Sequence, residues 1–342
     1  MEALVRTPEA TVEPLLDVRG LTTEFRSREA TIRANAEVSL VVGRGVTVGI
    51  VGESGSGKSV FCRSILRLIP SPPGFITAGE VWFEGRDLLM LPEEEMRRVR
   101  GTEVRMIFQN PMTSLNPVWP IGDQITEGLR VHGGLSARAA RERGIELLRR
   151  VGIPSPARRY DDYPFQWSGG MLQRAVIAMA VAGEPKLLLA DEPTTALDVT
   201  IQDQILALLL ELQERSEMTI VLVSHDMAVV AETCDRVAVM YAGRIVEVAP
   251  TRELFEVPQH PYTLGLLSST PRFGDRAGRL EPIAGQPPDL AALPPGCPFA
   301  ERCRFASADC AHTPVRLRET VPGRATACLY PERLAGSAWQ PS

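Results

Sequence analysis

A chain of 342 residues, 44% hydrophobic and 23% charged, has an ordinary globular balance and room for a full core plus a smaller appendage. A net charge of −5 and a pI near 5.6 leave no basic surplus to neutralise phosphates, which excludes a general nucleic-acid binder. Residues 1–13 hold no apolar signal region and no run reaches the roughly 18 apolar residues of a membrane helix, so a soluble, cytosolic chain is expected.

Residues 1–13 read as a loose leader. From Leu15 onward, short apolar runs alternate with helical patterns, the signature of an α/β layered fold. A first strand is expected over 16–25 (LDVRGLTTEF), ending at Phe25. Residues 46–51 (VTVGIV) read as a buried strand, followed by a Gly-rich loop and a helix over about 58–68. Another strand is expected at 104–108 (VRMIF), and 121–182 reads as mostly helical, with amphipathic periodicity around 136–151. Apolar runs at 186–190 and 219–223 flank a helix near 199–215 and suit a parallel sheet covered on both faces. Two further strands are expected at 236–241 and 244–249, joined by Ala242-Gly243. After residue 250, Pro, Arg, Gly and Cys rise, and periodicity fades beyond about 270. Residues 251–342 are therefore expected to form a separate, largely irregular extension.

Gly52-Glu53-Ser54-Gly55-Ser56-Gly57-Lys58-Ser59 fits G-x-x-x-x-G-K-[ST] between a strand and a helix. Glycines let the backbone wrap closely enough to aim N–H groups at phosphate oxygens. The helix that follows adds its positive end. Lys58 brings a point charge for the β- and γ-phosphates, and the Ser59 hydroxyl is a ligand for Mg²⁺. Only Lys58 and Lys186 are lysines among 37 basic residues, so a lysine at this position is informative. The expected nucleotide contacts here are Gly52, Ser54, Gly55, Ser56, Gly57, Lys58, Ser59 and Val60.

A phosphate loop alone fits kinases, GTPases and many ATPases; the remaining motifs narrow the choice. Gln109 closes the strand VRMIF. Ser168-Gly169-Gly170 opens a helix in WSGGMLQR, and LLLADE places Asp191 and Glu192 at the end of a strand. Thr195-Ala196-Leu197-Asp198 follows, and His225 comes after TIVLVS. In this order and spacing the chain resembles the ABC ATPases over about residues 15–250. The resemblance implies a P-loop NTPase fold with a RecA-like core, a mixed sheet and a helical subdomain at about 112–180. Asp191 would then hold Mg²⁺, usually through water, and Glu192 would polarise the attacking water. Gln109 would reach the metal and that water, and His225 the γ-phosphate. Ser168, Gly169, Gly170 and Asp198 would meet ATP across a head-to-tail pair with a second ATPase subunit, and Phe25 would stack on adenine. Met171 stands where the family usually has Gln, a departure that its peptide-importer branch shares.

QNPMTSLNP at 109–117 and HPYT at 260–263 resemble the ATP-binding subunits of bacterial dipeptide and oligopeptide importers. Two transmembrane permease subunits, an extracytoplasmic substrate-binding protein and a paralogous second ATPase are implied as partners. The implied place is the cytoplasmic face of the inner membrane. Nickel, glutathione or sugar importers, or a soluble ABC ATPase without a transport role, are the alternatives.

Cys297, Cys303, Cys310 and Cys328 give C-x5-C-x6-C-x17-C in the extension, a span typical of that branch. In a cytosolic chain these favour metal ligation over disulfides. No C-x2–4-C knuckle is present, so a [4Fe–4S] cluster is expected, with Zn²⁺ or no metal as the alternatives. Cys62 and Cys234 fall in helical segments and read as packed thiols.

Overall fold

The computed structural model describes residues 14–195, 197–269 and 282–334. Residues 1–13, read above as a leader, Ala196, and the parts of the extension at 270–281 and 335–342 lie outside the described residues. In chain order the elements are β1 (Leu16–Arg26), β2 (Thr31–Val42), β3 (Thr47–Val51), α1 (Lys58–Ile65), β4 (Gly74–Phe83), β5 (Arg86–Asp87), α2 (Glu93–Thr102) and β6 (Val104–Ile107). There follow α3 (Pro111–Ser114), α4 (Ile121–Val131), α5 (Ala137–Arg150), α6 (Pro156–Arg159), α7 (Gly169–Val181), β7 (Leu187–Asp191), α8 (Val199–Ser216) and β8 (Thr219–Ser224). The chain continues through α9 (Met227–Thr233), β9 (Arg236–Tyr241), β10 (Arg244–Pro250), α10 (Thr251–Glu256), α11 (Pro261–Ser268), β11 (Arg318–Val321) and β12 (Arg324–Thr326).

Two compact units are present. Among the described residues, one unit takes those within 1–43, 47–90 and 224–342, and the other those within 44–46 and 91–223. In the first, β2, β1, β4 and β5 form an antiparallel sheet in that order. Its inward face is apolar: Leu16, Val18, Leu21, Val38, Leu40 and Val81 are buried. The same unit pairs β3 parallel to β9, then β9, β10, β12 and β11 antiparallel. All five residues of β3 are buried, as a strand flanked on both faces requires.

In the second unit β6, β7 and β8 run parallel, with Val104 opposite Leu187 and Leu187 opposite Thr219. The β7 run LLLAD is wholly buried, so its apolar side chains carry Asp191 to the strand's C-terminal end. Here α4, α5 and α7 pack together, their small residues allowing close approach. Tyr160 fills the space above Gly122 and Gly144, and its hydroxyl bonds the Thr126 hydroxyl at 2.9 Å. Ser136 caps α5 by accepting the Ala139 N–H.

The expected irregularity of 251–342 holds only in part. This stretch carries α10, α11, β11 and β12, and β12 extends the sheet by pairing Thr326 with Glu247 and Ala325 with Val248. Two or three residues of ladder are too short to leave a period-2 signature in sequence. The antiparallel β2 and β4 also lack the continuous apolar runs that marked the buried strands; Glu37 and Glu80 lie on their exposed sides.

Candidate functional site

In the first unit β3 delivers the chain into the 52–59 loop. The backbone there needs glycine: φ is +153° at Gly52 and +103° at Gly57. A Cβ at Gly52 would lie 2.1 Å from the Met240 carbonyl oxygen, and one at Gly57 2.3 Å from that of Ala34. At Gly55 the opposite holds, for nothing lies within 4 Å of an added Cβ. Ser54 and Gly55 are exposed at this open crest, while Ser59 and Val60 are half-buried in the first turn of α1.

Lys58 is buried, and its Nζ donates to the Gly52 and Glu53 carbonyls at 2.8 and 3.0 Å. The ammonium therefore curls back into the loop rather than out to solvent. Gly57 is the N-cap of α1, and no side chain caps the helix there. Its first N–H groups are oriented for an anion. Ser56 Oγ is buried and makes no hydrogen bond among the described residues. An open crest, an inward cation, an uncapped helix and a buried hydroxyl together fit a phosphate chain.

Sequence reasoning missed Asn35. It is fully buried on β2, and its Nδ2 donates to the Ala34 and Gly57 carbonyls, each at 3.0 Å. It pins the turn that sets up α1, and a lone Asn in a strand gave no signal of this. Phe25 is half-buried at the end of β1, opposite Gly74, where an added Cβ would meet its ring at 3.0 Å. His225 is exposed, just before Asp226, which caps α9 by accepting the Ala228 N–H at 2.8 Å.

In the second unit the chain leaves β7 through Asp191, fully buried, and Glu192. Glu192 has φ +48°, a left-handed value uncommon for a non-glycine residue. It is held there by its N–H to Val223 O and by the Thr195 N–H to its carbonyl. The turn brings two donors to one carboxylate oxygen. Gln109 Nε2 and Thr195 Oγ1 both donate to Glu192 Oε2 at 2.8 Å. Gln109 and Glu192, 83 residues apart, are thus brought together as the motif order implied. The Gln109 amide binds Glu192 itself, and Thr195 is a partner that the sequence did not disclose. Ser168 is the N-cap of α7 without a side-chain cap bond, and a Cβ on Gly169 would meet nothing within 4 Å. Asp198 stands likewise at the N-terminus of α8.

The four extension cysteines converge. Cys297, Cys303, Cys310 and Cys328 line one cavity of about 20 Å³, walled by Phe299, Phe305 and Leu329. Burial, reinforced by the neighbouring cysteines, pushes the Cys297 and Cys328 thiols up to about 11. None of the four is paired in a disulfide, and Cys62 and Cys234 are buried as packed thiols. Among the described residues no three His, Cys, Asp or Glu side chains are placed to hold a single metal ion.

His260 begins the HPYT stretch, fully buried, and its Nδ1 accepts the Tyr262 N–H at 3.1 Å. Its own N–H and that of Gln259 reach the Glu247 carboxylate at 2.9 and 2.7 Å. Burial lowers the imidazole to about 3, so the folded ring stays neutral where an unfolded histidine gains a proton. Proton uptake by the unfolded state alone costs stability as pH falls from about 6.5 towards 3. The thermal midpoint of His260→Asn, which keeps a capping acceptor, should therefore fall less between pH 7 and pH 5 than that of the unaltered protein. A fall of equal size would show that His260 titrates freely.

With this geometry in view, the relatives decide the family. Residues 36–195 match the family model described as ABC transporter, and 246–310 match the one described as oligopeptide/dipeptide transporter, C-terminal region. A Brucella melitensis biotype 1 protein named as a peptide import ATP-binding protein is 55% identical over 309 residues, covering 87% of this chain and 91% of the relative. The chain belongs to the ABC transporter ATP-binding family. The oligopeptide transport ATP-binding protein OppD of Bacillus subtilis is 52% identical over 296 residues, covering 86% of this chain and 83% of its own length. Among solved structures, a dimeric ATP-binding cassette in a post-hydrolysis state, bound to ADP and Pi, superposes with a TM-score of 0.63 at 30% identity. That match covers 69% of this ABC chain and 99% of the cassette. The fold is accordingly the ABC ATPase cassette, a P-loop NTPase with a mixed sheet and helices.

Proposed function

We propose that this chain hydrolyses ATP to power the import of dipeptides or oligopeptides through an ABC transporter. The observation that carries the ATPase reading is the Gln109–Glu192–Thr195 cluster at the end of a buried strand. The open, lysine-filled phosphate loop supports the same reading. Lys58, the loop N–H groups and the α1 terminus would bind the phosphates. Ser59, Asp191 and Gln109 carry the hard oxygen donors that Mg²⁺ takes, and the ion would neutralise charge on the phosphates. Glu192 would orient and accept a proton from the attacking water, held in place by Gln109 and Thr195. Gln109 would exchange this bond for the water when nucleotide binds, and His225 would contact the γ-phosphate. Phe25 would stack on adenine. Ser168, Gly169, Gly170 and Asp198 would serve the ATP of a second ATPase subunit, which we take to be a paralogue.

The peptide substrate rests on the C-terminal match and on the names of the relatives. No helix among the described residues is long and apolar enough to cross a membrane. Docking to permeases is supported by apolar side chains exposed on the second unit, among them Met112, Val118, Trp119 and Phe165, the last 73% exposed. The chain would then sit at the cytoplasmic face of the membrane, fed with substrate by an extracytoplasmic binding protein. Co-expression with peptide-importer permeases, followed by reconstitution into liposomes, tests this. Peptide uptake driven by ATP inside a fixed orientation is expected. ATP hydrolysis without any association with permeases would favour a soluble ABC ATPase instead.

The cysteines carry a finer proposal, a [4Fe–4S] cluster. Its four ligands sit on different irons and so stand wider apart than ligands sharing one zinc ion. Four cysteines lining one cavity supply the donor set such a cluster takes, and bound iron would hold them as thiolates. Protein purified without oxygen should contain about four irons and four acid-labile sulfides per chain. One zinc and no sulfide would replace the cluster with a structural knuckle; neither metal would remove the proposal.

A further inference from the structure

The phosphate loop is held from outside by the C-terminal part of the chain, and a single residue of the loop, Glu53, receives that hold. Every polar group of Glu53 is engaged. Its N–H donates to the Tyr262 hydroxyl at 2.7 Å. Its carbonyl accepts Lys58 Nζ at 3.0 Å and the Ser56 N–H at 3.2 Å. Its carboxylate takes both ends of the Arg302 guanidinium, with Nη1 to Oε2 at 2.7 Å and Nη2 to Oε1 at 2.9 Å. The fork geometry makes this pair directional as well as charged.

Arg302 is itself fixed. Its side chain is 5% exposed, Nε donates to the Ala284 carbonyl at 2.9 Å, and Nη1 also reaches the Tyr241 hydroxyl at 3.3 Å. The guanidinium lies 5.8 Å from the ring centres of Tyr241 and Phe299. Those rings join Tyr262 in one aromatic cluster, with centroids 4.5 to 5.4 Å apart. The bond to Glu53 raises the Arg302 pKa further, so the cation is permanent.

We infer that Arg302 and Tyr262 are positioning residues for nucleotide binding, acting through Glu53 on Lys58 and the phosphate loop. This rests on the reading of the loop as the ATP site. Two effects combine. Tyr262 and Arg302 fix the peptide whose carbonyl orients the Lys58 ammonium, so the cradle is formed before nucleotide arrives. Arg302 also neutralises a carboxylate that otherwise stands on a loop built to receive phosphates, where like charges repel.

The second effect gives a signature that mere scaffolding lacks. Arg302→Gln leaves Glu53 charged and unpaired, and should weaken ATP binding about tenfold. Adding Glu53→Gln to that variant removes the repelling charge and should recover part of the loss. If the pair were only structural, the double variant would bind as poorly as Arg302→Gln or worse. Tyr262→Phe, which loses only the hydroxyl, should weaken binding several-fold. In steady state KM for ATP should rise while kcat at saturating ATP stays within about twofold.

The experiment is a titration of each full-length variant with a fluorescent ATP analogue, with Lys58→Ala and thermal midpoints run in parallel. Recovery in the double variant, at unchanged midpoint, is the expected result. Unchanged affinity in Arg302→Gln, or in Glu53→Gln and Tyr262→Phe should Arg302→Gln fail to fold, would overturn the inference while leaving the ATP site intact. If Lys58→Ala also left affinity unchanged, the ATP reading of the loop would fall, and the inference with it.

Discussion

Glu192→Gln is expected to bind ATP almost as well as the unaltered protein and to lose about 100- to 10,000-fold in kcat. The substitution keeps the shape of the side chain and its place in the left-handed turn after β7. It also keeps an oxygen able to accept from Gln109 and Thr195, which now donate to Oε2 at 2.8 Å. What it removes is the negative charge and the capacity to accept a proton from water. Lost turnover with retained binding therefore isolates the chemical step from the folding of the site. The check is nucleotide titration beside phosphate release, both with permeases present. Turnover close to that of the unaltered protein would remove Glu192 from the catalytic role and direct attention to Asp191 or His225.

Lys58→Ala is expected to weaken ATP binding by about 10- to 100-fold, the range of a hydrogen-bonded charge lost from a desolvated site. Two losses add here. The phosphates lose their counter-charge, and the loop loses the internal tie that Nζ makes to the Gly52 and Glu53 carbonyls. The Gly52 carbonyl would lose its ammonium partner and the Glu53 carbonyl would keep only the Ser56 N–H, so the loop would no longer be shaped in advance of ligand. The same titration used for Glu192→Gln reads the result. Affinity unchanged by the loss of this cation would count against the phosphate loop itself.

Much of this site was legible because its chemistry is local. A loop that wraps phosphate needs positive φ where no Cβ fits, and Gly52 and Gly57 occur at that spacing within a few residues of a buried strand. The buried parallel strands were equally plain, since a strand covered on both faces must be apolar throughout; VTVGIV, LLLAD and TIVLV all fall within or across β3, β7 and β8. Helix α5 announced itself through its amphipathic period; the Ser136 cap emerged only in the structure. The antiparallel strands β2 and β4 did not, because their exposed sides break the apolar run.

The sequence by itself therefore determined the cassette, the glycine-rich loop and the order of its motifs, for these depend on residues close along the chain and on backbone rules. Only the tertiary structure decided what holds those motifs. Gln109 meets Glu192 across 83 residues, Asn35 meets Gly57 across 22, and Arg302 meets Glu53 across 249. A hydrogen bond has a reach of about 3 Å and no memory of sequence separation, so a partner contributed by a distant strand or turn leaves no periodic trace. The HPYT stretch carried the branch resemblance as letters alone. Folded, its tyrosine is a hydroxyl at the N–H of Glu53, and its histidine is a neutral cap that burial keeps from titrating.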